Sequence, residues 1–195
     1  LLYHVERMNE ESANALLKVM EEPPEGVLFL LTADSLASVL PTIRSRCVSF
    51  AVAPVSPADC TRYCAAQGVD KKTAALYSEL FDGHIGTVLA VARDEARAAQ
   101  VEKALELARA AAARDSYAAA VLLAAYEKDK AAAAALLTDF RAVAAAGLRS
   151  SPRAPVQGTQ ARQAVRLADA ALQRLGAQVN PKVVLSVFAA KLRTL

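Results

Sequence analysis

Two regimes of apolar spacing divide the chain. In residues 1–53 the spacing changes period every few residues. Asn9 precedes Glu10 and Glu11, a side-chain cap followed by acids that suit the positive end of a helix dipole. Apolar residues then fall at Ala13, Leu16, Leu17 and Met20, the i, i+3, i+4, i+7 pattern of one buried helix face. Pro23-Pro24 ends that helix, because neither residue can donate to its hydrogen-bond ladder. Val27–Leu31 is an unbroken apolar run between Gly26 and Thr32, which predicts a buried strand of a parallel sheet. Pro41–Arg46 predicts a short helix with proline in its first turn, and Val48–Val52 a further strand.

Beyond Pro54-Val55-Ser56-Pro57 only the helical period remains. Ser56 is a cap, Pro57 suits the first helical position and Asp59 follows close behind. The apolar period predicts helices over 57–66, 71–80, 84–92, 95–113, 116–126, 130–149, 159–176 and 181–194. Gly68, Gly83, Gly147 and Gly176 read as C-terminal breaks, and Asn180-Pro181 as a cap with a first-turn proline. Ser150–Gly158, with two prolines, reads as a flexible loop, and no repeat of fixed period appears.

Composition changes this picture in one respect. The mean hydropathy of +0.22 suggests a membrane protein, but 45 of the 195 residues are alanine, which raises hydropathy and favours helix. No uninterrupted apolar run approaches the roughly 18 residues of a spanning helix, so the sequence reads as having no membrane partner. Seven Gly and eight Pro do not make a disordered chain. A net charge of +3 permits phosphate contact without arguing for it. The three cysteines, Cys47, Cys60 and Cys64, are too few and odd in number for a disulfide framework and suit a reducing cytoplasm. The start, Leu1-Leu2-Tyr3-His4, has neither an initiator Met nor a signal peptide, and reads as the interior of a longer protein.

Candidate chemistry concentrates before residue 53. Asn14-Ala15-Leu16-Leu17-Lys18 leads to Glu21-Glu22-Pro23-Pro24, then Phe29-Leu30-Leu31-Thr32, then Leu40-Pro41-Thr42-Ile43-Arg44-Ser45-Arg46-Cys47. In order and spacing this segment resembles the AAA+ clamp-loader subunits of DNA replication, over residues 1 to about 52. The likeness continues more weakly through Gly83-His84-Ile85-Gly86 and Asn180–Leu192.

The resemblance implies a mainly α fold. Residues 1–53 would be the C-terminal part of an α/β AAA+ ATPase-like domain without its P-loop half, 54–95 a helical lid, and 96–195 a helical collar for oligomerisation. It implies that Arg46, in the Ser45-Arg46-Cys47 motif, reaches in trans to ATP–Mg on a neighbouring subunit, where a planar, permanently charged guanidinium matches phosphate oxygens. Thr32 takes the sensor-1 position for a nucleotide phosphate, although no Walker A motif accompanies it and an ordinary strand-end threonine reads equally well. Lys18 and Arg44 are candidates for primer–template DNA contact through the phosphate backbone; a solvated helix face is the bland reading of Lys18. Ser45 either orients Arg46 or is an ordinary turn serine.

Two family types compete. One is the hydrolysing gamma/tau motor ATPase, the other the non-hydrolysing bacterial delta-prime type of DNA polymerase III. Aligned on Glu6-Arg7-Met8, Tyr3 and His4 stand where the motor carries its magnesium-linked and catalytic acids, and Gly86 where it carries a phosphate-sensing arginine. A phenol does not supply the carboxylate that Mg²⁺ takes. These departures favour the delta-prime type: an accessory subunit of a DNA-directed DNA polymerase holoenzyme, with no catalytic activity and no bound cofactor of its own. Its expected partners are gamma/tau motors, a delta subunit, the sliding clamp and primer–template DNA, in the cytoplasm. An unrelated helical scaffold is the third reading. No metal site is expected: Cys47 and Cys60-x-x-x-Cys64 read as core positions, His4 and His84 as isolated, and Glu21-Glu22 as exposed helix-end residues.

Overall fold

Asn9 begins the first helix as its sequence requires. In the computed structural model, which describes residues 1–53 and 55–195, its side chain accepts from the Ser12 N–H at 2.8 Å and opens α1 (Glu10–Glu21). The chain is mainly α-helical and falls into two units, Leu1–Ala53 and Pro54–Leu195. Pro54, the first residue of the expected boundary and lid, lies outside the described residues.

In the first unit, α1 and α2 (Pro41–Arg44) close over a small core of Val5, Ala13, Val39 and Ile43, with Leu16, Leu17 and Met20 packed around it. The expected strands do not form. Among the described residues the only β pairing is a single parallel bridge, Leu2 with Leu31. Leu2 N–H donates to Leu30 O at 2.8 Å and Thr32 N–H to Leu2 O at 2.9 Å. A strand exists only where a neighbour takes up its N–H and C=O groups, and just the end of 27–31 has one. Residues 48–52, read as a further strand, have none among the described residues, and Val48, Phe50 and Val52 are 82%, 84% and 95% exposed.

The second unit holds eight helices among its described residues: α3 (Pro57–Ala66), α4 (Lys71–Leu80), α5 (Ile85–Arg93), α6 (Glu95–Ala112), α7 (Ser116–Ala124), α8 (Lys130–Leu148), α9 (Gly158–Gly176) and α10 (Pro181–Leu192). Their starts follow from caps. Ser56 accepts from Asp59 N–H, and Asp70, Asp94, Asp115, Asp129 and Asn180 each accept from the first turn they precede. Hydrogen bonds from the Thr73 N–H and hydroxyl hold the Asp70 carboxyl below the usual carboxylate range. One core runs from Cys60 to Leu195, and Phe140 of α8 meets Phe188 of α10 edge-to-face at 5.3 Å.

α8 is the one helix among the described residues long and apolar enough to cross a membrane. Its apolar side chains serve the core instead, with Leu136, Leu137, Phe140 and Val143 fully buried.

Three local expectations are corrected. Gly147 does not end a helix. It lies within α8, where an added Cβ would sit 1.9 Å from the Val156 carbonyl oxygen, so glycine permits the close approach of the following segment. Gly176 is the last residue of α9 but does not supply the left-handed turn; Gln178 does, as Ser150 does after α8. The 150–158 loop is tied down: Val156 is fully buried, Ser151 Oγ donates to Glu79 Oε2 at 2.7 Å, and Gln157 Nε2 donates to Ser151 O and Ala154 O.

Candidate functional site

Pro41 starts α2 and the chain leaves it within five residues, which brings Ser45, Arg46 and Cys47 to the surface of the first unit. Ile43 anchors the turn, 1% exposed in the small core. Ser45 Oγ donates to Thr42 O at 2.9 Å and so closes the turn on itself. Arg46 is partly exposed. Its Nη1 donates to Thr42 O at 3.1 Å and to Ser45 Oγ at 3.4 Å, and its Nη2 pairs with the Glu21 carboxylate at the end of α1. Nε has no partner among the described residues, so the guanidinium keeps a donor for an incoming anion. Cys47 is half-buried against the same core, as a small apolar residue would be.

The pairing of Glu21 with Arg46 is what sequence reasoning misses. The two sit 25 positions apart, a separation that carries no periodic signal. Glu21 is an exposed helix-end residue, as read from the sequence, and it is also the acidic partner of the motif's arginine.

The other candidates divide into two places. Lys18 lies one turn before Glu21 on α1, and Arg44 ends α2; both are exposed. Thr32 belongs to a second group. It is exposed, its Oγ1 accepts from His4 N–H at 3.4 Å, and its carbonyl accepts from Val5 N–H at 3.0 Å. His4 is not isolated: its Nδ1 lies 3.1 Å from Glu6 Oε1 and 3.7 Å from Asp34 Oδ1. A hydrogen bond from its own backbone N–H holds the Glu6 carboxyl below the usual range, against the opposing effect of burial, and His4 adds to the lowering. His84, in the second unit, has Nδ1 2.7 Å from Phe81 O.

The family model described as DNA polymerase III, delta subunit, matches residues 1–56. Over this segment the chain is similar to subunits of DNA polymerase III. Curated relatives agree over the same short reach. The delta-prime subunit of Yersinia pestis is 45% identical over 62 residues, 32% of this chain and 18% of the relative. That of Haemophilus influenzae is 62% identical over 42 residues, 22% and 13%. The tau subunit of Escherichia coli is 46% identical over 50 residues, 26% and 8%. The alignments thus span less than a fifth of the length of these relatives. Delta-prime and tau subunits both appear among these relatives, so the likeness does not distinguish the subunit types.

Proposed function

We propose that this chain is a non-hydrolysing, delta-prime-type subunit of the DNA polymerase III clamp loader that lends Arg46 to the ATP site of a neighbouring subunit and helps load the sliding clamp onto primed DNA. The observation that carries the reading is the presentation of Arg46. It stands at the surface at the end of α2, held by Thr42, Ser45 and Glu21, with Nε unengaged among the described residues. That arrangement fits a phosphate approaching from outside the chain. ATP–Mg on the neighbour supplies the phosphoryl group, and Arg46 contributes a fixed positive charge beside it.

The non-hydrolysing part rests on Tyr3 and His4. Tyr3 is 68% exposed and offers a phenol in place of a carboxylate, and His4 is engaged with Glu6 and Asp34. On this reading residues 54–95 are the lid and 96–195 the collar that joins gamma/tau and delta subunits. Lys18 and Arg44 face the DNA backbone, Thr32 keeps the sensor-1 position, and the complex works in the cytoplasm. The similarity to a tau subunit favours a second reading, the motor ATPase.

One assay separates the two. The full-length natural protein is incubated alone with ATP–Mg, then reconstituted with the same organism's motor and delta subunits, clamp and primed DNA. The proposal expects no hydrolysis alone, and clamp loading in the complex that Arg46→Ala abolishes without loss of assembly. Hydrolysis by the protein alone would establish the motor reading.

A further inference from the structure

The pairing of Glu21 with Arg46 joins two elements that are already fixed to each other. α1 is held by Ala13, and α2 by Ile43, in one small core, and each residue is 1% exposed. Glu21 is the last residue of α1, so its backbone is set by that packing before its side chain does anything. Its carboxylate reaches Nη2 of Arg46, while Thr42 O and Ser45 Oγ take Nη1. A planar guanidinium held on two nitrogens, from two elements, has its plane and its direction determined. An arginine without such partners explores many rotamers and loses that freedom each time it meets a ligand.

We propose that Glu21 is a positioning residue for Arg46: it holds the guanidinium in the orientation from which it meets a phosphate on a neighbouring subunit. The inference rests on the trans role of Arg46 given above. Glu21 touches no phosphate itself and acts through Arg46. It is not a stability device. The side chains of Glu21 and Arg46 are 50% and 38% exposed, and an ion pair so open to water adds little to folding. An exposed pair that contributes little to stability, yet spans two elements beside the motif's arginine, is placed to control geometry.

The test is a double-mutant cycle in the complete clamp loader, reconstituted from the full-length chain with its motor and delta subunits, the clamp and primed DNA. Stimulated ATP hydrolysis is measured as kcat and KM for wild type, Glu21→Ala, Glu21→Gln, Arg46→Ala and Glu21→Ala with Arg46→Ala, after assembly is verified by size exclusion. Glu21→Ala is expected to lower kcat by roughly 10- to 100-fold, up to the scale of a group misplaced by an ångström, with KM for ATP unchanged. Glu21→Gln, whose amide oxygen still accepts from Nη2, recovers most of the loss. In the Arg46→Ala background, Glu21→Ala has no further effect, because the residue it positions is gone. Should Glu21→Ala fail to assemble, Glu21→Asp keeps the charge, withdraws it by one methylene and shows a smaller loss of kcat in the same pattern.

An unchanged or raised kcat in Glu21→Ala, with Arg46→Ala still inactive, overturns the positioning role and leaves the trans role of Arg46 standing. An equal loss with and without Arg46 overturns it too, since Glu21 would then act independently. An active Arg46→Ala complex removes both claims together.

Discussion

Burial of the acidic partner decides what an arginine's ion pair does in this chain, and two pairs show the contrast. Arg97 donates to both carboxylate oxygens of Asp139 at 2.5 Å, and the Asp139 side chain is only 3% exposed. Arg46 makes its ion pair in the open. Removing a partner from the first pair strands a buried charge, so Arg97→Ala is expected to cost about 3–5 kcal/mol in denaturant unfolding followed by circular dichroism. Replacing both partners, as Arg97→Met with Asp139→Leu, recovers most of that loss.

The cysteines follow the same rule. Burial pushes the Cys64 thiol up to about 11, and the neighbouring Cys60 adds to the rise. Cys60 and Cys64 are fully buried and Cys47 half-buried. A thiol reagent at pH 8 should therefore label Cys47 first in the native protein, and Cys60 and Cys64 only on unfolding. Rapid labelling of all three would contradict the core placement. That placement is legible in the sequence, because Cys60 and Cys64 fall at helical i, i+4 spacing. The Glu21–Arg46 pair is not, because nothing local links a helix end to a residue 25 positions on.

Helices are the elements whose limits the sequence states most clearly, since caps and apolar period are local. Ser56-Pro57, Asp70, Asp94 and Asn180-Pro181 each open a helix where they stand. Strands depend on partners that the sequence does not place beside them, which is why 27–31 and 48–52 read as strands and do not pair as a sheet here. Glycines mislead for a related reason. A glycine ends a helix only where the backbone turns left-handed, and at Ser150 and Gln178 other residues do so. Gly147 and Gly176 give a direct comparison. Gly147→Ala drives a Cβ toward the Val156 carbonyl and is expected to cost about 1–3 kcal/mol. Gly176→Ala meets nothing within 4 Å and is expected to be neutral or to stabilise by up to about 1 kcal/mol. Thermal unfolding of the two variants checks the contrast, and equal effects would contradict the close approach of α8 and the segment after it.

For the whole molecule, the likeness to known proteins lies at one end of the chain and most of the buried core at the other. The segment that matches DNA polymerase III subunits takes in the smaller unit, with the smaller core. The larger unit, Pro54–Leu195, carries the continuous helical core. Its alanine-rich sequence fixes helices and burial but names no partner, because a collar and a closed bundle bury the same kind of face. The proposed function therefore requires that the small unit's exposed arginine act on another subunit. The most direct measurement is DNA- and clamp-stimulated ATP hydrolysis by the reconstituted complex carrying Arg46→Ala, beside wild type and Arg46→Lys. A fall of about 10³-fold or more is expected for Arg46→Ala, the scale of a guanidinium supplied in trans. Arg46→Lys is predicted to remain strongly impaired, because an ammonium lacks the planar fork. Wild-type turnover by an assembled Arg46→Ala complex would contradict the proposed function.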